Sequence, residues 1–254
     1  MNLLEKYIYS SCINGIAYQA AYSLENVQEI FLPLIKKWTE MQQEKGGRLL
    51  VMLAAPPAAG KSTLAALLED LSGKTEGVTP LTVIGLDGFH HYRDWLSAHT
   101  IERNGEIVPM SRVKGAPETF DLTKLQERIH RLKTDEVCLW PYYDRNLHDP
   151  VEDKVEVRGD IVLLEGNYLL LDWPGWRELH READHTVRIL VDETDVRERL
   201  IWRKMATGMS REDAEKFADY SDLYNVRTCM QAFLPADVSL RLKVMDETAV
   251  FTEE

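Results

Sequence analysis

The sequence predicts an α/β fold of three layers, a mostly parallel, doubly wound sheet with helices on both faces. Three observations carry that prediction. The apolar run Leu49-Leu50-Val51-Met52-Leu53 leads into a loop of small residues, Ala54 to Thr63, and then into Leu64, Leu67, Leu68 and Leu71 at helical spacing. Further short apolar runs, Leu81 to Leu86, Asp160 to Gly166 and Thr186 to Val191, alternate with helix-periodic stretches, as strands joined by crossover helices do. Three of the runs are followed by polar residues at the strand end, where open parallel sheets bind ligands: Lys61 with Ser62, Asp87, and Glu165.

In chain order, Tyr7 to Ile13 and Ile16 to Tyr22 flank Asn14-Gly15, the strongest short signal for a type I′ turn, and predict an N-terminal β-hairpin. Val27, Ile30, Phe31, Leu34, Ile35 and Trp38 predict a helix with Ser23 as its N-cap, kinked at Pro33 and closed by Lys45-Gly46-Gly47. Residues 1–46 are thus expected to form a hairpin and helix packed on a core domain of residues 47–254. After the small-residue loop and its helix, the strand Leu81 to Leu86 ends at Asp87-Gly88-Phe89-His90-His91. Arg93 to Pro117 reads as a polar, irregular loop whose length points to function. A helix from Leu122 to Lys133, strands at Val137 to Trp140, Asp160 to Gly166 and Thr186 to Val191, and an arginine-rich helix from Asp195 to Met205 follow. A helix from Ser210 to Tyr224 and a last strand from Val238 to Leu242 complete the pattern.

At 254 residues and 44% hydrophobic, the chain fits one sizeable α/β domain with embellishments. A net charge of −12 argues against a general nucleic-acid binder, which carries a basic face. No apolar stretch reaches membrane-spanning length and no signal-peptide pattern opens the chain, so the expected compartment is the cytoplasm. Cys12, Cys138 and Cys229 fit neither a disulfide framework nor a zinc site.

Ala55 to Ser62 approximates the phosphate-binding P-loop, G-x-x-x-x-G-K-[ST], with Ala55 in place of its first glycine. The backbone of Ala58, Ala59, Gly60, Lys61, Ser62 and Thr63 would cradle phosphates at a helix N-terminus, and the Lys61 ammonium would reach the β- and γ-phosphates. Ser62 and Glu165 would hold Mg²⁺, Glu165 standing where a Walker-B carboxylate belongs. Asp87 is the candidate general base, an Asp-Gly turn being its bland alternative. His90 and His91 read equally as substrate ligands or surface residues, and a metal role for them is weak. Arg197, Arg199, Arg203 and Lys204 read as a lid at about residues 197–215, with Arg199 and Arg203 on one helix face; a solvated charged face is the alternative. No Asn-Lys-x-Asp segment reads guanine.

Taken together these motifs resemble the phosphoribulokinase/uridine kinase superfamily of P-loop kinases, and within it the type I pantothenate kinases and their bacterial relatives. Ser23 to Leu34 is similar to the helix before their P-loop; Asp87-Gly88-Phe89 to the strand end bearing their base; Lys114 to Asp121, and Pro141 to Arg145 with His148-Asp149-Pro150, to their substrate segments; Glu165-Gly166 and Arg197 to Met209 to their Walker-B end and lid. His90-His91-Tyr92 and Asn167 to Asp172 depart from pantothenate kinases and look more like a group described as nucleoside/nucleotide kinase-like or fructose-type kinases. The resemblance implies a P-loop NTPase fold and a Mg²⁺-dependent ATP kinase acting on a hydroxyl of a small metabolite, such as a sugar, sugar acid, nucleoside or pantothenate-like compound. It also implies Asp87, Lys61 and Arg203 as catalytic, and Arg199 and Arg203 over the nucleotide. His90, Arg93, Lys114, Tyr143, Arg145 and His148 would form the substrate pocket. Neither nucleic acid nor membrane is an expected partner, and a homodimer is left open. The alternative, suggested by alanines at 55 and 58, is a nucleotide-binding regulator with weak or no kinase activity.

Overall fold

The computed structural model describes residues 5–13, 16–103 and 105–254. Strands β1 (Lys6–Ile13) and β2 (Ile16–Ser23) pair antiparallel with Ile13 opposite Ile16, so the expected hairpin forms; its Asn14-Gly15 turn lies outside the described residues. A helical turn α1 (Leu24–Asn26), a π-helical turn Val27–Phe31 and α2 (Leu32–Lys45) run on without a break. The interruption expected at Pro33 takes the form of that π turn. Proline offers no N–H and its ring crowds the carbonyl of the preceding turn, and one extra residue per turn accommodates both. Gly46, left-handed at φ +67°, stops α2.

The chain continues through β3 (Leu49–Ala54), α3 (Lys61–Lys74), β4 (Leu81–Gly85), α4 (Arg93–Ala98), β5 (Thr100–Arg103), β6 (Glu106–Pro109) and α5 (Leu122–Thr134). Next come β7 (Cys138–Asp144), β8 (Asp149–Val157), β9 (Ile161–Gly166), α6 (Trp176–His180), β10 (His185–Leu190) and α7 (Glu193–Met205). The last elements are α8 (Arg211–Phe217), α9 (Leu223–Gln231), β11 (Val238–Met245) and β12 (Thr248–Glu253). The described residues form an eight-stranded sheet in the order β1-β2-β12-β11-β10-β3-β9-β4, parallel from β11 to β4. β7 and β8 pair separately as a hairpin, as do β5 and β6.

β3 is buried along its length because it serves two cores. Leu49, Val51 and Leu53 pack with Leu64, Leu67 and Leu68 of α3 and with Ile35 and Trp38 of α2. The alternate residues Leu50, Met52 and Ala54 pack with Leu125 and Ile129 of α5 and Trp176 of α6. This is why the strand reads as an unbroken apolar run, and it yields the predicted three layers. The outer edge of β4 is covered by side chains: Leu81 N donates to Ser72 Oγ at 2.9 Å and Val83 N to Glu69 Oε1 at 2.8 Å. Tyr9 donates to the Ala66 carbonyl at 2.9 Å, tying the N-terminal hairpin to α3. Among the described residues no helix is long and apolar enough to cross a membrane.

Three expectations need correction. Arg93 to Pro117 is not irregular: it holds α4 and the β5–β6 hairpin, in which Arg103 pairs with Glu106; Asn104 between them lies outside the described residues. The Asn-Gly signal of residues 14–15 recurs there, but four-residue strands with half of their side chains exposed leave almost no hydrophobic period to read. The helix expected from Ser210 to Tyr224 forms, but it passes through a π turn at Ala218–Asp222 without a break and runs on as α9 to Gln231. β8, β12 and α6 were not anticipated, β8 because its run Glu152-Asp153-Lys154 hides the alternation.

Candidate active site

The loop between β3 and α3 has the backbone of an anion cradle. Gly60 is left-handed at φ +82° and serves as N-cap of α3 without a side-chain cap. The first helical bond runs from Leu64 N to Gly60 O at 3.0 Å, so the N–H groups of Lys61, Ser62 and Thr63 precede it and have no acceptor within the helix. Ala55, at the usual glycine position, is buried outside the left-handed region, and its N–H donates to Gly166 O at 3.4 Å. Alanine therefore meets no backbone penalty there. Ala58 does, at φ +59°, a conformation that costs an L-residue about 1–2 kcal/mol.

β3, β9 and β4 lie side by side, with Leu53 level with Glu165 and Glu165 level with Gly85. Their ends deliver Ser62, Glu165 and Asp87 to one place. Ser62 Oγ donates to Glu165 Oε1 at 2.9 Å, and Lys61 Nζ stands 3.8 Å from Glu165 Oε2. Burial pushes the Glu165 carboxyl above its usual range, against the pull of Lys61. Glu165 Oε2 is buried without a hydrogen-bond partner. A hydroxyl beside a carboxylate with a spare oxygen is a donor set that suits Mg²⁺, which takes one or two carboxylates and completes its shell with phosphates and water. No group of three His, Cys, Asp or Glu suited to a metal occurs among the described residues, and Cys138 and Cys229 are free and buried.

Asp87 sits in the 3₁₀ turn Leu86–Phe89 that follows β4, its side chain exposed to the cleft. Two contacts with β7 fix the turn. Trp140 Nε1 donates to Gly85 O at 2.9 Å, and Gly88 lies so close that a Cβ there would meet the Pro141 carbonyl oxygen at 2.3 Å. Ser62, Asp87, Tyr143, Arg145 and Glu165 line one cleft of about 360 Å³, which runs along α3 to Tyr9.

The other sequence candidates distribute around Tyr143. The buried His90 ring stacks on Phe120 at 3.9 Å, meets the Tyr143 edge at 5.6 Å and has Nδ1 3.3 Å from Thr119 Oγ1. Burial lowers its pKa to about 4, so the imidazole is neutral at physiological pH. Lys114 Nζ lies 4.7 Å from the Tyr143 ring centre and donates to His148 O at 2.8 Å. Burial, and then Arg93, lower the Lys114 pKa. Tyr143 is pushed up to about 12 by burial and then by Asp149 and Asp87. Arg93 opens α4, its backbone N–H held by Asp149 Oδ1 at 2.7 Å. His148 engages this group through its carbonyl, its side chain being exposed. His91 turns away from the cluster into a stack with Trp95 and, beyond it, His99.

The cations that the sequence suggests as a lid divide into two kinds. Arg197 pairs with Asp219 at 2.7 Å, and Lys204 with Asp222 at 3.6 Å over the Phe217 ring. Arg199 instead donates to the P-loop carbonyl of Ala58 at 3.4 Å. Desolvation and the neighbouring Arg145 lower the pKa of Arg203, while Asp87 raises it. The shared face of Arg199 and Arg203 was legible from their spacing. The contributions of Gly88, Trp140 and Tyr9 were not, because each depends on a segment distant in sequence.

No protein-family model matches the chain. It is 40% identical over 215 residues to the uncharacterized protein YggC of Escherichia coli, covering 84% of this chain and 86% of that one. A protein of Schizosaccharomyces pombe described as a "putative uridine kinase" is 29% identical over 80% of this chain and 88% of its own. A pantothenate kinase of Lactococcus lactis is 29% identical over 57% of this chain and 50% of its own length. Among solved structures, a "putative fructose transport system kinase" from Silicibacter sp. TM1040 superposes with a TM-score of 0.68 at 34% identity, covering 80% of this chain and 98% of that one.

Proposed function

The chain belongs to the phosphoribulokinase/uridine kinase superfamily of P-loop kinases, and from that membership we propose that it transfers the γ-phosphoryl group of ATP to a hydroxyl of a small metabolite. One observation carries the reading furthest. Three neighbouring strand ends converge on a single cleft, bringing Ser62 of the phosphate loop, a buried carboxylate bonded to it, and the exposed carboxylate of Asp87 together, with Arg199 bonded to the loop carbonyl of Ala58.

In this reading the loop N–H groups and Lys61 bind the β- and γ-phosphates, and Ser62 and Glu165 hold Mg²⁺. Bound Mg²⁺ supplies positive charge against the phosphate oxygens. Asp87 accepts the acceptor's hydroxyl proton as the new O–P bond forms and the bond to ADP breaks. The proton passes to solvent when the product leaves. Arg199 and Arg203 offset charge on the transferred group and exclude water as the lid closes. The alanines that suggested a regulator are compatible with catalysis, since only Ala58 adopts a glycine-like backbone and the cradle keeps its form. A kinase drawing on the ATP pool would work in the cytoplasm.

The test is ADP release with Mg-ATP over a panel of sugars, sugar acids, nucleosides and pantothenate, with Lys61→Ala as the blank. Acceptor-stimulated release by the wild type and none by Lys61→Ala is expected. Mg-ATP binding with no acceptor-stimulated release across the panel would favour the regulator.

A further inference from the structure

Asp87 stands between two sets of cations. On the phosphate-loop side, Arg145 and Arg203 repel each other, and Arg145 also acts on Glu165. On the other side, Arg93 repels Lys114, whose remaining charged neighbours are Asp149 and Asp87. Among the described residues no carboxylate lies within ion-pair distance of the side chains of Arg93, Lys114 or Arg145, a condition they share with Arg199 and Arg203 and with Arg48, Arg112, Arg181 and Arg188 elsewhere, whereas Arg103, Arg128, Arg197, Arg227 and Arg241 are paired. The chain has 42 acidic against 30 basic residues, so cations left without carboxylates do not reflect a shortage of partners. Asp149, the carboxylate that acts most strongly on Lys114, accepts from the Arg93 backbone N–H through Oδ1.

In the kinase reading the loop, Lys61, Arg199 and Arg203 are assigned to the nucleotide. Lys114 of the second pair lies against the Tyr143 ring, which lines the cleft beside Asp87, and Arg93 is held to the same corner through its backbone N–H on Asp149. His90, which closes the same corner, is neutral at physiological pH and adds hydrogen bonding without charge. We propose that the acceptor carries an anionic group, a carboxylate or a phosphate, besides its reacting hydroxyl, and that Lys114 and Arg93 hold that group across Tyr143 from Asp87. This rests on the kinase reading for the word acceptor; the anion site itself does not.

Two measurements separate those dependencies. With the donor site saturated by a non-hydrolysable ATP analogue and Mg²⁺, sulfate and inorganic phosphate are titrated while the melting temperature is followed at constant ionic strength. Both anions should stabilise the wild type, and Lys114→Met with Arg93→Met should remove the effect, while Arg181→Met, outside the site, keeps it. An unchanged anion response in the double variant overturns the site whatever the activity. Turnover is then compared within matched pairs: glycerate and glycerol, pantothenate and pantothenol, fructose 6-phosphate and fructose, UMP and uridine. The anionic member should be preferred by about 10- to 100-fold in kcat/KM, the worth of one charge-assisted hydrogen bond, and Lys114→Met should bring the ratio towards one. Preference for the neutral members overturns the acceptor class and leaves the kinase reading standing. No turnover in any pair counts against the kinase reading, and the anion titration still decides the site. The carboxylate and phosphate pairs tell which anion is recognised.

Discussion

Replacing Gly88 by alanine adds one methyl group where the structure leaves no room for it. The new Cβ would stand 2.3 Å from the Pro141 carbonyl oxygen, 2.6 Å from its carbon and 3.0 Å from the Tyr142 nitrogen, about 1 Å short of ordinary contact at the closest atom. These are backbone atoms of β7 at the register shift between Trp140 and Tyr142, held on either side by the β8 ladder and by the 2.9 Å bond from Trp140 to Gly85, so they cannot swing aside as a flexible side chain would. Overpacking of this kind costs about 1–3 kcal/mol. At about 2.1 cal/mol/K per residue, 254 residues give an unfolding entropy near 0.5 kcal/mol/K, so the melting temperature should fall by about 2–6 °C. The adjacent Asp87 moves with the turn, and a displacement on the order of 1 Å lowers turnover by about 100-fold. The phosphate loop hangs on β3 and α3 and should be spared. Mg-ATP at 100 times its Kd should stabilise variant and wild type alike by about 2.7 kcal/mol, or about 5 °C. Thermal denaturation with and without Mg-ATP, run beside acceptor-dependent ADP release, reads all three quantities. An alanine variant that melts within about 1 °C of the wild type and turns over normally would refute the placement of Asp87 against β7.

Three further outcomes follow from the same geometry. Ala58→Gly relieves the only left-handed alanine in the phosphate loop and should raise stability by about 1 kcal/mol, measured by denaturant titration, with Mg-ATP binding retained. Glu165→Gln keeps an acceptor for Ser62 but removes the charge, so the Mg²⁺-dependent part of the ATP thermal shift should shrink while the shift with ATP alone persists; an unaltered Mg²⁺ dependence would speak against Glu165 as a magnesium residue. His90 binds its proton at about 4 when folded against 6.5 as a free imidazole, so the unfolded chain is the better proton acceptor between those values. Stability is therefore lost as pH falls from 6.5 towards 4, by on the order of 3 kcal/mol, and a pH series of melting temperatures should be flatter for His90→Phe than for the wild type.

The centre of the candidate site is legible in the sequence because its information is local. The run Leu49 to Leu53, the Gly60-Lys61-Ser62 triplet and carboxylates at the ends of two other apolar runs each lie within a few residues, and the parallel register of β3, β9 and β4 then brings them together. What lay hidden depends on distant partners. The spacing of Arg197, Arg199, Arg203 and Lys204 gives their helix faces, but that Asp219 neutralises the first and Asp222 the last is decided by the fold of the following helices. Gly88 looked like part of an ordinary Asp-Gly turn until β7 was seen against it. The glycine-poor loop read as a weakness, yet Ala55 sits where no positive φ is required. The Asn104-Gly105 signal does not suffice to mark a hairpin, since β5 and β6 are too short for their alternation to stand out.

The account stands most directly on Asp87→Asn. The substitution keeps the size and the turn while removing the proton acceptor, so Mg-ATP should stabilise the variant by the same amount as the wild type, to within about 1 °C, whereas acceptor-dependent phosphorylation should drop by about 100- to 10,000-fold. An asparagine variant that phosphorylates its acceptor at the wild-type rate would contradict the assignment of Asp87 as the base and, with it, the chemistry proposed for the cleft.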